Sequence, residues 1–203
     1  TLREFQAALA SSSPTPGGGT ASAVALGQAA SLAAMVCDLT LGNEKWKAGW
    51  QVAENIQAIA LPMLNRSNEL ATEDSQAFDR VMDGFRLPKT TDDEQSLRRN
   101  AIRGATLEAA AVPFETATLA LKLLSLLPEL AAKGNANAVS DVGVAGLLAS
   151  AAGKGAVFNV EINLDSLPET MGETIRDDLP NVKEKTRIAS RAVMDAVRER
   201  MGQ

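Results

Sequence analysis

From residue 20 to residue 41 the chain reads TASAVALGQAASLAAMVCDLTL, a stretch of small and apolar residues with almost no polar face. It follows a run of helix breakers and stops at Gly42-Asn43, so it predicts one helix. A helix apolar all round is a central one and needs neighbours on every side. Composition says what those neighbours are. Hydrophobic residues make up 45% of the 203-residue chain but aromatics only 3%. Apolar content drawn from Ala, Leu and Val suits closely packed helices and not a β-sandwich. The fold class expected is all-α.

The remaining segments fit that core. Residues 1–10 predict a short amphipathic helix, and residues 11–19, SSSPTPGGG, a loop. A long helix is expected over 44–85, with Pro62 as a kink, and another from Asp92 or Asp93 to Lys133, with Pro113 and Pro128 as kinks or a break. Gly134–Asn137 reads as a turn. Ser140 is placed as the N-cap of an Ala/Gly/Val-rich helix reaching toward Leu164, and a last amphipathic helix is placed over 168–201. No repeat and no linker interrupts the pattern. Residues 1–203 are therefore one domain, a bundle of about six helices. The segments at 20–41 and 141–164 both lack a polar face, so a homodimer is expected with one of them near the subunit interface.

Charge and composition narrow the function. The net charge is −5, and no Lys/Arg run is interleaved with aromatics, so nucleic acid is not an expected partner. No signal-like start is read. Ser22, Gln28 and Ser31 mark the 20–41 segment as a core helix, and no membrane span is expected. The lone cysteine, Cys37, reads as a small buried hydrophobe and suits a cytoplasmic location. Histidine and tyrosine are both absent. A Ser-His-Asp triad and a His-ligated zinc are thereby excluded, and acid–base work falls to Asp, Glu, Lys or Cys.

Two helices carry polar residues where apolar ones belong. On a helical wheel Met63, Leu70, Phe78, Val81 and Phe85 form a stripe within about 80° of arc, and Asp74 falls in its middle. Glu69, Glu73, Asp79 and Asp83 point away from it. Desolvation of Asp74 raises its pKa toward the range useful for proton transfer; the alternative is a buried Asp that caps a neighbouring helix or pairs with an Arg. Along the helix from Asp141, Asp141, Asn159 and Asn163 share a face otherwise made of Ala and Leu. There an interhelical hydrogen-bond network is the simpler reading. Gly17-Gly18-Gly19 leads into a helix N-terminus, whose free N–H groups suit an anion, but the phosphate-loop spacing is missing.

Several spaced motifs stand in order along the chain: Pro14-Thr-Pro-Gly-Gly-Gly-Thr20, Met35-Val36 with Leu39-Thr-Leu-Gly42, Asp74-x-x-Ala-Phe78, Leu87-Pro-Lys89, and Gly134-Asn-x-Asn137-x-x-Ser-Asp-x-Gly-Val144. Together they resemble the cyclodeaminase/methenyltetrahydrofolate cyclohydrolase family. The resemblance implies an all-helical, dimerising fold, a tetrahydrofolate derivative as substrate, and no metal or redox cofactor. It implies one of two reactions. Either 5-formimino-tetrahydrofolate loses ammonia to close the methenyl bridge, or water opens that bridge to give 10-formyl-tetrahydrofolate. By the Asp-x-x-Ala-Phe match the catalytic residue is Asp74. Substrate contacts are expected from Gly17, Gly18 and Gly19, from Lys45 and Lys89 on the anionic tail, and from Asn135, Asn137 and Asp141. One departure stands out: family members carry a basic residue where this chain has Asn43, and the charge is displaced to Lys45. The cyclohydrolase is the favoured reading because the chain carries no formiminotransferase domain. The alternatives are a cyclodeaminase served by a separate formiminotransferase chain, and a non-catalytic folate-binding or assembly subunit.

Overall fold

The computed structural model describes residues 1–202 and, among them, holds helices and no strand. Six α-helices follow in order: α1 (Leu2–Leu9), α2 (Gly18–Thr40), α3 (Trp50–Arg86), α4 (Asp92–Lys133), α5 (Val139–Asp165) and α6 (Glu173–Met201). Short 3₁₀ turns at Glu44–Gly49 and Ala136–Ala138 lead into α3 and α5.

Helices α2 to α5 form an up-and-down four-helix bundle in which α2 packs on α3 and α5, and α4 on the same two. Helix α6 covers the α4–α5 side, and α1 lies apart with no buried residue. Contacts along the interfaces set the directions. Trp50 donates its indole N–H to the Thr40 carbonyl at 3.0 Å, and Thr20 meets Asp74, so α3 runs antiparallel to α2 and extends beyond its N-terminus. Small residues set the spacing. A Cβ on Gly27 would collide with Ser67, and one on Gly155 with Ser22, so α2 lies against α3 and α5 closer than larger residues allow. The core of Leu26, Ala30, Val36, Ile56, Leu70, Leu123 and Leu127 fills the centre.

Several boundaries differ from the sequence reading. Helix α5 begins at Val139 with Ala138 as N-cap, so Ser140 lies inside the first turn. The turn-former is Asn135, whose side chain accepts from the Asn137 N–H at 3.0 Å and starts the 3₁₀ turn that runs straight into α5. Helix α6 starts at Glu173 and not at Pro168, because Gly172 in the left-handed region (φ 72) reverses the chain there. Pro62, Pro113, Pro128 and Pro180 all sit inside unbroken helices. Each removes one donor without ending its helix; tertiary packing outweighs that loss.

The membrane expectation also needs correction. By length and composition, α2, α4 and the segment Ala136–Asp165 are each long and apolar enough to cross a membrane. In this fold about half of each apolar window is buried against other helices. The remainder leaves Met35 and Leu39 of α2 and Val144, Leu147, Phe158 and Ile162 of α5 exposed.

Candidate active site

The N-terminus of α2 opens into a cavity of about 340 Å³. Gly17, Gly18 and Gly19 form one wall, Asp74 of α3 stands beside them, and Asn159 and Asn163 of α5 face across. Phe78, Val81 and Ile162 supply apolar walls. The Met63–Phe85 stripe thus divides. Met63 and Leu70 are core, whereas Phe78 (37% exposed) and Phe85 (51%) lie on the open side. Asp74 marks the point where the stripe leaves the core.

Asp74 is half-buried, and its partners are local. The Thr20 hydroxyl donates to its Oδ2 at 2.9 Å and lies 3.2 Å from the Ser75 hydroxyl. Burial pushes the carboxyl above its ordinary range, against the opposing pull of the Thr20 hydroxyl and backbone N–H. The desolvation and the helix cap, set apart as alternatives in the sequence, are thus present together. Gly17, the N-cap, brings no side chain to the first turn of α2, and Asp74 reaches in from α3 to take that capping role. Gly19 makes this approach feasible, since a Cβ there would overlap Asp74 Oδ1. No cation pairs with the carboxylate among the described residues.

On α5 only Asn163 makes the interhelical bond that the simpler reading expected, and Asn159 bonds back within its own helix. Asn163 Nδ2 donates to the Ala109 carbonyl of α4 at 2.8 Å, and Asn159 Nδ2 to the Gly155 carbonyl at 2.9 Å. Both nevertheless line the cavity, where their amide oxygens are free to accept.

The other residues expected at the site lie elsewhere. Asn135 donates from its backbone N–H to Thr40 Oγ1 and from Nδ2 to the Leu39 carbonyl, which fixes the Gly134–Asn137 turn at the far end of α2. That end is about 30 Å of helix rise from Thr20. Asn137 and Asp141 share it, as does Lys45, whose ammonium lies 4.7 Å over the Trp46 ring. Asn43 accepts from the Lys45 N–H and caps the 3₁₀ turn there. Lys89 is exposed in the loop after α3, outside the cavity lining. Sequence reasoning missed Thr20 as the partner of Asp74, although it directly follows the glycines. It also passed over Ile162, which looks like any exposed helix residue.

A larger cavity of about 630 Å³ lies between α5 and α6, away from Asp74. Most of its charges are already paired. Lys183 pairs with Glu161, Arg187 with Glu184, and Arg176 donates to the Met171 and Leu164 carbonyls. The exception is Asp165, exposed at the end of α5. Cys37 is buried, with its thiol pushed up to about 12 by desolvation and the neighbouring Asp38 charge, so it is no nucleophile. Among the described residues no three His, Cys, Asp or Glu side chains gather as metal ligands.

Residues 1–179 match the family model described as formiminotransferase-cyclodeaminase. The chain belongs to that family. A family relative, the methenyltetrahydrofolate cyclohydrolase of Methylorubrum extorquens, is 36% identical over 176 residues, covering 83% of this chain and 81% of that one. The formimidoyltransferase-cyclodeaminase of Rattus norvegicus is 28% identical over 98% of this chain, which spans only 37% of that longer protein. Among solved structures of the family, the formiminotetrahydrofolate cyclodeaminase of Thermotoga maritima superposes with a TM-score of 0.81 at 28% identity. That match covers 98% of this chain and 94% of the other.

Proposed function

We propose that this protein is a folate one-carbon enzyme acting on the N5/N10 bridge, with methenyltetrahydrofolate cyclohydrolase as its reaction. The observation that carries the reading is the meeting of one desolvated carboxyl, Asp74, with the free N–H groups at the start of α2 in a cavity with apolar walls. The methenyl bridge is an amidinium carbon and already electrophilic. Asp74 takes one proton as water adds and returns it to N5 as the C–N5 bond breaks; the remaining hydroxyl proton leaves to solvent as the C=O forms, and the formyl group stays on N10. Such a positioned group is worth about 10²–10⁴-fold in rate. The N–H groups of the first turn favour negative charge developing on the added oxygen. A Cβ at Gly19 would take up the approach that Asp74 occupies.

The cyclodeaminase reaction needs the same proton carrier and remains the alternative, served by a separate formiminotransferase chain; the likeness to the Thermotoga maritima structure favours it. The cyclohydrolase is preferred on the 36% identity to a relative of similar length. No metal or redox cofactor is part of either reaction, and a cytoplasmic location belongs to the same reading. Purified protein is mixed with methenyl-tetrahydrofolate and the decay of its near-ultraviolet absorbance is followed, with formimino-folate in a parallel assay. Turnover of neither substrate would defeat the proposal.

The homodimer belongs to this reading too. The exposed apolar residues of α2 and α5 lie on helices that pack side by side and antiparallel. A two-fold axis in that face and across the helices exchanges their ends. It would carry the Lys45, Asn137 and Asp141 end of each subunit to the cleft of the other, which accounts for residues that are far from Asp74 within one chain.

A further inference from the structure

The cavity at Asp74 does not close at Val81. A second cavity of about 330 Å³ adjoins it and shares Val81, Ile162 and Asn163 as walls. The two form one trough along the last turns of α3. Each half has a single charged side chain in its lining: Asp74 in the first and Arg103 of α4 in the second. Arg103 follows Ile102, which packs against Gly84, so its place beside the end of α3 is set by the α3–α4 contact. Its side chain has no ion-pair or hydrogen-bond partner among the described residues, unlike Arg66, Arg80 and Arg86 on α3.

We propose that Arg103 binds the glutamate carboxylate of the folate substrate and so fixes the direction in which folate lies in the trough. This rests on the folate reading above. Charge order supports it: a methenyl folate is cationic at its bridge and anionic at its tail, and the trough is acidic at Asp74 and basic at Arg103. Length supports it as well. Val81 lies about 10 Å and Phe85 about 16 Å along α3 from Asp74. The aminobenzoyl ring and amide place the first glutamate carboxylate about 10 Å from N10 by standard bond lengths. Between the two charges the walls are Phe78, Val81 and Ile162, apolar surfaces suited to an aromatic ring. A guanidinium fork matches a carboxylate in two parallel hydrogen bonds, which a lysine cannot reproduce.

The test compares wild type, Arg103→Gln and Arg103→Lys on two substrates, methenyl-tetrahydrofolate and methenyl-tetrahydropteroate, which lacks the glutamate. With the full substrate, R103Q is expected to raise KM about tenfold and leave kcat within a few-fold, as loss of one charge-assisted pair does. R103K should fall between. With the pteroate, wild type should already show the raised KM and R103Q should change it no further. Equal effects on both substrates, or none on either, overturn the role of Arg103. Failure of wild type to turn over any folate would instead overturn the reading beneath it. Circular dichroism of R103Q should match wild type, since the side chain it removes has no partner in the fold.

Discussion

At Asp74 one side chain serves packing and chemistry together, and substitutions separate the two. Asp74→Asn keeps an oxygen that accepts from Thr20, and so keeps the α2 cap while removing the proton carrier. Bridge-opening activity should fall by about 10²-fold or more, measured by methenyl absorbance decay. Stability should move the other way. A carboxyl whose folded pKa is raised holds more protons when folded than unfolded, so ionising it costs stability as pH rises. The variant should therefore melt higher than wild type at pH 7, and the difference should vanish as pH falls toward the unfolded value of 3.8. The same raised pKa predicts that kcat/KM falls on the acid side as Asp74 takes up its proton, and that this limb is missing from whatever activity D74N retains. Gly19→Ala is a second probe. Its Cβ overlaps Asp74 Oδ1, so overpacking of about 1–3 kcal/mol and loss of turnover should appear together.

At the scale of helices, an ion-pair cluster ties α3 to α4 close to Asp74. Arg66 donates to both oxygens of Glu115 at 2.6 and 2.7 Å and to both of Glu73 at 2.6 and 2.9 Å, one position before Asp74. Arg66 holds the Glu115 carboxyl below its ordinary range. A carboxylate with a lowered folded pKa stabilises above its unfolded value and loses that contribution as pH falls through the folded one. Glu115→Gln should therefore lower the melting temperature at pH 7 by a few degrees and make it less sensitive to acid below 4.5, read from melts across pH 3–7. The loop after α3 tests the tail. Lys89 lies past Phe85, beyond both halves of the trough, so Lys89→Ala should raise KM for polyglutamyl folate more than for the monoglutamate and leave kcat within a few-fold. Added salt should weaken the wild-type preference for longer tails in the same assay.

For the whole molecule, the unpartnered face of α2 and α5 sets the expected assembly. Leu147 (58% exposed), Phe158 (70%) and Ile162 (70%) project from it, an apolar surface that a single chain leaves wet. Light scattering at micromolar concentration should give the mass of a dimer, and Leu147→Glu should shift it to the monomer. If the two-fold crosses the helices, mixing inactive D74N subunits with inactive Asn137→Ala subunits should restore part of the activity, because one cleft in a mixed dimer then has both intact residues. A mixture as inactive as its components would place Asn137 outside the cleft.

Periodicity and composition were enough to place the helical class, the central position of α2 and the anomaly of Asp74, because each depends on residues close in sequence. The helix period puts Asp74 among Leu70 and Phe78 whatever the rest of the chain does. Gly17–Gly19 were legible for a similar reason, as breakers directly before a helix. Helix limits were less so: α6 starts at Glu173, after the turn at Gly172, and not at Pro168, and four prolines failed to end their helices because packing overrode local preference. What only the tertiary structure decided is which ends meet. Antiparallel packing brings Thr20, Asp74, Asn159 and Arg103 to one end of the bundle from four different helices. It sends Asn135, Asn137 and Asp141 to the other, although the sequence motif that holds them reads as part of the same site. A helix of this length separates its ends by about 30 Å, and only the direction in which its neighbours run determines what each end faces.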